Sequence, residues 1–279
     1  CYDGIASDDE LIINSGTISV TAKDDALRGK DFLKINGGTI TATATSGHAL
    51  KSDDTETKGY GYILINGGTL SLTSSAADGL HATKRVIVND GKLTINATAS
   101  QGLNADSIVN INGGTITVNS SREGIESYNI TVTGGTTILN ATNDAINATA
   151  GTVSGGTESN DNSSLNVSGG ILIANCSNGD GIDSNGNVYI SGGTTIANGP
   201  QSGVEEGADV NGSFIMTKGI FISAGSNSNM TKSMSTSSTQ PNLYIKSGSV
   251  ISSSTLLHIE DASGTEIMTY KIKHGGDYF

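Results

Sequence analysis

The chain has 279 residues, with 38 Gly, 2 Pro, 8 Tyr, 4 Phe and no Trp, and only 15% of its residues are charged. A formal net charge of −12 at pH 7 disfavours nucleic acid as a partner and favours cations. No apolar run reaches the roughly 18 residues that a membrane-spanning helix needs, and the regular Ile/Leu/Val spacing argues against disorder despite the Ser, Thr and Asn content.

Read in chain order, one unit recurs. "NSGTISV" is followed by "NGGTITATA", "NGGTLSLTS", "NDGKLTINA", "NGGTITVNS" and "TGGTTILNA", then by "SGGILIANC", "SGGTTIANG" and "TKGIFISAG". The second glycine of each unit falls at Gly16, Gly38, Gly68, Gly91, Gly114, Gly135, Gly170, Gly193 and Gly219, with a tenth anchor at Gly248. The base interval is near 22 residues, with occasional insertions. This is too short for paired-helix repeats, and the segments lack a helical period.

Each unit carries three short strands. One precedes the glycines, as in Leu33/Ile35, Val86/Val88 and Val109/Ile111. The second follows them, as in Ile40/Ala42, Leu70/Leu72 and Ile116/Val118, with Thr and Ser on the opposite face. The third is a "DGI-x-S" element whose apolar residue is expected to form one inward ladder: Ile5, Leu27, Leu50, Leu80, Leu103, Ile125, Ile146, Ile182 and Val204. Glycine supplies the corners, where a positive φ is needed. Asn14, Asn36, Asn66, Asn89 and Asn112 precede the glycines and are placed to bond amide to amide from coil to coil. A single coil cannot bury its apolar edge, but a stack buries a continuous column. The expected fold is therefore all-β: one right-handed parallel β-helix of about ten coils over residues 1–279. Its regular coils span about 2–225, with an irregular last coil and a cap in 226–279.

Insertions at Asp53–Gly61 and Thr149–Ser164 interrupt the period and are expected to border a binding face. The chain opens inside the repeat, so a missing native start is expected. Cys1 and Cys176 lie about seven coils apart, roughly 34 Å at ~4.8 Å per coil, and are not expected to pair. Cys1 is either a lipid-modified N-terminus or simply the first residue after trimming.

The third element carries the chemistry. The residue before its Gly or Ala is, in successive coils, Asp3, Asp25, His48, Asp78, Gln101, Glu123, Asp144, Asp180 and Ser202. Three positions later come Ala6, Arg28, Lys51, His81, Asn104, Glu126, Asn147, Asp183 and Glu205. Both columns are expected to point outward. Carboxylates stacked ~4.8 Å apart repel by about 3.5 kcal/mol at an effective dielectric near 20, so a concentration of them calls for a counter-ion. Hard oxygen donors with an amide carbonyl suit Ca²⁺. The expected ligands are Glu123, Glu126, Asp144, Asn147, Asp180, Asp183 and Glu205, with a second candidate at Asp3, Asp24 and Asp25. The alternative is a solvated acidic stripe that blunts aggregation. Arg28, Lys51 and His81 form a basic column in the early coils, suited either to the carboxylates of an acidic sugar or to ordinary surface ion pairs. No catalytic triad or zinc spacing is readable, and the four His are spread over separate coils.

The "NGGT(I/L)T" and "DGI-x-(S/A)" copies, about nine of them between Tyr2 and Gly225, resemble the bacterial carbohydrate-binding β-helix family that looks like polysaccharide lyases and binds cellulose and acidic sugars. The resemblance implies a right-handed parallel β-helix, calcium held by stacked acidic residues, and secretion or surface attachment in bacteria that degrade plant cell walls. Its calcium pattern matches Asp144, Asp180 and Asp183. It matches Asp3, Asp24 and Asp25 less well, because Arg28 stands where the last carboxylate belongs.

Three function classes follow. The first is a non-catalytic, calcium-binding module for cellulose or polygalacturonate, monomeric and extracellular, gripping sugar with Arg28, Lys51, His81, Tyr60 and Tyr62 beside a hydroxyl face about 45 Å long. The second is a pectate-lyase-type enzyme with Arg28 or Lys51 as base. The third is an adhesin or stalk. The strongest acidic cluster has Arg122 as its nearest cation and no Lys or Arg in its columns, which favours binding over catalysis.

Overall fold

A computed structural model describes residues 2–151, 159–226 and 233–279. Cys1 and its suggested lipidation, the middle of the Thr149–Ser164 insertion and the start of the irregular C-terminal region lie outside the described residues.

Every regular element described is a β-strand. The post-glycine strands, from Thr17–Ala22 to Ile220–Ala224, stack in register into one nine-stranded parallel sheet. The other two strands of each coil form the arms of a 16-stranded parallel sheet. These arms join because in coils five and six the chain runs through the corner without a break, as Leu103–Ile111 and Ile125–Val132. The result is a parallel β-helix of nine coils.

Alternation does the packing. In Thr39–Ala44, Ile40, Ala42 and Ala44 are buried while Thr39 and Thr41 are exposed. Stacking such strands builds one apolar column from Ile13 to Met216. Asn36 donates to Asn14 at 2.7 Å, Asn66 to Asn36 at 2.8 Å, and the ladder continues through Asn89 and Asn112. At the corner, Gly38 has φ of 105°, and a Cβ there would sit 2.7 Å from the Gly16 carbonyl oxygen of the coil below. Both facts demand glycine.

Several expectations need correcting. The count is nine coils because Gly248 is not a corner: it sits within Lys246–Ser252, which pairs antiparallel with Gly275–Tyr278. The chain after Gly225 therefore does not resume the solenoid. It forms this pair and the antiparallel pair Leu256–Glu260 with Glu266–Lys271, and packs Tyr270 and Ile272 against Ile196 and Ile222 on the outside of coils eight and nine. An apolar cavity of about 580 Å³ lies there, lined among others by Phe214, Met216, Phe221, Leu243 and Met268.

The inward ladder of the third element holds from Leu27 to Ile182, all fully buried, but not at its ends. Ile5 is 38% exposed in the terminal coil, and Val204 is 64% exposed. Ile182 pairs with Ala208 and Asp183 with Asp209. The loop around Pro200 is four residues longer than the repeat predicts, so coil nine enters the seam with Glu206 and Asp209 in place of Ser202 and Glu205.

The hydroxyl face is also shorter than expected. Outward positions are mostly Thr and Ser in coils one to five, about 20 Å of stack. From coil six the stacked outward residues become Ile138, Ile173, Ile196 and Ile222, while Thr137 and Thr195 turn inward and are fully buried.

Candidate functional site

The third element builds a polar seam along one corner. Its first column is not solvated as expected: Asp25, Asp78, Gln101, Glu123, Asp144, Asp180 and Glu206 are all buried. The reason is a hydrogen-bond requirement at the bend. Asp25 N–H donates to Asp3 Oδ1 at 3.2 Å, His48 N–H to Asp25 Oδ1 at 2.8 Å, and Asp78 N–H to His48 Nδ1 at 3.1 Å. Gln101 N–H continues onto Asp78 Oδ1 at 3.1 Å, Asp180 N–H goes to Asp144 Oδ1 at 2.8 Å, and Glu206 N–H goes to Asp180 Oδ1. At these six steps a side chain of the preceding coil thus accepts an amide that a buried corner must satisfy. Asp and His share acceptor capacity, and that common property was the signal at these positions of a variable column.

The second column stacks as expected in the early coils, Arg28 beside Lys51 and Lys51 beside His81. All three are occupied. Arg28 pairs with Asp53 at 3.2 Å and Asp8 at 3.5 Å, and Lys51 with Asp25 at 3.1 Å and Asp53 at 3.5 Å. Burial alone would lower the Lys51 pKa, but the hydrogen bonds and charges of Asp25 and Asp53 outweigh it and raise it. Lys51 is therefore held protonated. Arg28 is likewise raised, burial opposing and Asp53 prevailing.

Stacking also brings together residues that looked scattered. His48 and His81 lie ring to ring, 4.6 Å apart and tilted by 20°, and both Nδ1 atoms approach Asp78 Oδ2, at 3.6 and 3.0 Å. Burial, then the charge of His81, lowers the His48 pKa. Burial pushes Asp78 upward, but hydrogen bonds from His81 and Ser100 bring it below its usual value.

The aromatic pair forms a small stack of its own. Tyr62 lies flat on Phe32 at 4.9 Å, with Arg85 5.5 Å from its ring centre, and Tyr60 tilts against Phe32 at 6.3 Å. Both Tyr are half-buried, and Tyr62 already has partners for its ring.

The acid run occupies coils six to nine. At its edge Gln101 Nε2 donates to Glu123 Oε2 at 3.3 Å and Glu126 Oε2 at 3.0 Å. Arg122 contacts Glu123 at 3.0 Å. Ligand oxygens of Asp180, Asp183 and Asp209 lie within 4.8 Å of one another. Burial, reinforced by neighbouring carboxylates, raises Asp144 to about 6, Asp183 to about 8 and Asp180 to about 9, and raises Glu126 beside Glu123. Glu205 is outside the column, and its charge still raises Asp144, Asp180 and Asp183. Asn147 Oδ1 is buried without a hydrogen-bond partner. An all-oxygen donor set with an amide carbonyl to spare fits a hard cation. At the other end, Asp3, Asp24 and Asp25 also bring oxygens within 4.8 Å, but Asp25 is engaged by the His48 amide and Lys51, and that ammonium opposes a cation there.

A family model described as carbohydrate-binding domain-containing protein matches residues 1–158, more than half of the 279. The chain belongs to this carbohydrate-binding family. No curated protein and no solved structure matches it. Within the carbohydrate-binding match fall the paired cations Arg28 and Lys51, the His48–Asp78–His81 group, Tyr60, Tyr62, Glu123, Glu126, Asp144 and Asn147; Asp180, Asp183 and Asp209 lie beyond it. No helix among the described residues is long and apolar enough to cross a membrane.

Proposed function

We propose that this carbohydrate-binding domain holds plant-cell-wall polysaccharide, cellulose or polygalacturonate, outside the bacterial cell and without cutting it, and that calcium occupies the acid run of coils six to nine. The observation that carries the non-catalytic reading is the state of the cations. A lyase base must be deprotonated beside a metal-bound uronate, whereas Lys51 is held protonated by Asp25 and Asp53 and Arg28 is tied to Asp53 and Asp8. The cation in contact with Glu123 is Arg122, and a guanidinium does not deprotonate in proteins.

The donors at Glu123, Glu126, Asp144, Asn147, Asp180 and Asp183, with Asp209 now added, support calcium by their chemistry. Acidic sugar binds through bridging calcium and the cationic column, neutral cellulose through the Thr and Ser face of coils one to five and the edge of Tyr60. Sedimentation with insoluble cellulose and with polygalacturonate, with and without EGTA, tests this. Polygalacturonate retention is expected to fall with chelator and with salt, and cellulose retention much less. Steady formation of unsaturated uronides near pH 9 that vanishes in Lys51→Ala would make the protein an enzyme and end the binding-only reading.

A further inference from the structure

We propose that His48, Asp78 and His81 form a binding site for a borderline transition-metal ion of the Zn²⁺ class, separate from the oxygen-rich run. One donor atom from each residue lies within 4.8 Å of the other two. His81 Nδ1 and His48 Nδ1 stand 3.0 and 3.6 Å from the same carboxylate oxygen, Asp78 Oδ2. Zinc bonds of about 2.0–2.2 Å to nitrogen and oxygen set tetrahedral ligand–ligand edges at roughly 3.3–3.5 Å, which those two distances bracket.

The carboxylate is already aimed. Asp78 Oδ1 is held by the Ser100 hydroxyl at 2.6 Å and the Gln101 amide at 3.1 Å, so Oδ2 is the oxygen left for the imidazoles. Outer hydrogen bonds of this kind orient metal ligands. The two imidazoles come from adjacent coils of a rigid parallel stack, with Leu50 paired to Leu80 and Lys51 to His81. Their side chains are 18% and 24% exposed while Asp78 is 6% exposed, so an ion has access from one side and would keep an open position toward solvent. Two imidazoles and one carboxylate favour Zn²⁺, Cu²⁺, Ni²⁺ or Co²⁺ over calcium. Lys51, in the same coil as His48 and paired with His81, is charge-compensated by Asp25 and Asp53.

Binding has one identifiable consequence. His48 Nδ1 now accepts the Asp78 amide at 3.1 Å, and an ion that takes this lone pair releases that amide. The Asp78 N–H is therefore a built-in reporter.

The test uses the full chain with calcium in excess, so that the oxygen-rich run is not available to the added metal. Co²⁺ is titrated and followed by its visible absorption, Zn²⁺ competition is measured, and the Asp78 amide is watched by NMR. The expected result is one Co²⁺ with tetrahedral-type bands, displaced by Zn²⁺, and a shifted Asp78 amide. Affinity should fall at least tenfold in His81→Ala and in His48→Asn, where the Asn oxygen can still accept the Asp78 amide and preserve the bend. No Co²⁺ binding below about 1 mM, binding unchanged in both variants, or colour without a shift at Asp78 would each overturn the site. If one variant fails to fold, the other variant and the wild-type amide reporter decide.

Discussion

Asp144 tests whether the buried acid column is there for its charge or for its oxygen. Its Oδ1 accepts the Asp180 amide at 2.8 Å, and its pKa is raised from 3.8 to about 6 by burial and by Glu123. The fold thus favours the protonated form more than the unfolded chain does. Without metal, its contribution is complete below about pH 4 and is lost as pH rises through about 6. At about 1.4 kcal/mol per pH unit, the ionised carboxylate destabilises the metal-free protein by about 3 kcal/mol at pH 8 and by about 1 kcal/mol at pH 4.5. Asp144→Asn removes the charge but keeps an oxygen for the Asp180 amide. Its new amide would face Asn143 Nδ2, which now donates to Asp144 Oδ2 at 3.0 Å and to Glu123 Oε1 at 3.4 Å, and that contact sets how far the gain falls short of its upper bound. In EDTA at pH 8, Asp144→Asn should therefore be stabilised by up to about 3 kcal/mol, on the order of 5–10 °C in melting temperature, and the gain should shrink to about 1 kcal/mol at pH 4.5. Asp144→Ala leaves the buried amide unpaired and should lose about 1–3 kcal/mol relative to Asn. Urea unfolding at the two pH values measures all of this. If Asp144→Asn and Asp144→Ala are equally destabilised at pH 8, the charge carries no penalty and the reasoning fails.

Saturating calcium should reverse that order, stabilising the wild type by about 2.7 kcal/mol at a hundredfold excess over Kd, and by much less in Asp180→Asn; melts that do not move between EGTA and millimolar calcium would refute the oxygen-rich site. Leu103→Ala, at a fully buried position of the inward ladder, should cost about 2–5 kcal/mol, whereas Val204→Ala, at 64% exposure, should change unfolding by less than about 0.5 kcal/mol. Lys51→Ala should weaken polygalacturonate binding about fivefold, near 1 kcal/mol, in low salt, and leave cellulose binding alone.

The coil period was legible because Gly16 to Gly219 mark corners that glycine alone satisfies, and the Ile/Leu alternation between them has one packing solution. The coil-nine slip arose because Val204 is a better apolar match than Ala208, although "EGADV" repeats "DGIDS" residue for residue in role. Gly248 misled in the same way: a glycine beside serine marks a corner only when the flanking strands pair in parallel. The His48–Asp78–His81 group was invisible because its two His are 33 positions apart and meet only across stacked coils. The basic column was placed correctly, yet its ion pairs with Asp8 and Asp53 come from neighbouring turns whose geometry the repeat does not specify.

The amide-to-side-chain chain along the corner has a consequence for how such a surface can diversify. What the bend takes at these steps is a lone pair, and aspartate and histidine both supply one while carrying different charge. Electrostatic character can therefore be rewritten from coil to coil, from imidazole at His48 to carboxylate at Asp78 and Asp180, with the backbone left as it is. Folding and ligand preference are written in two different alphabets at the same positions.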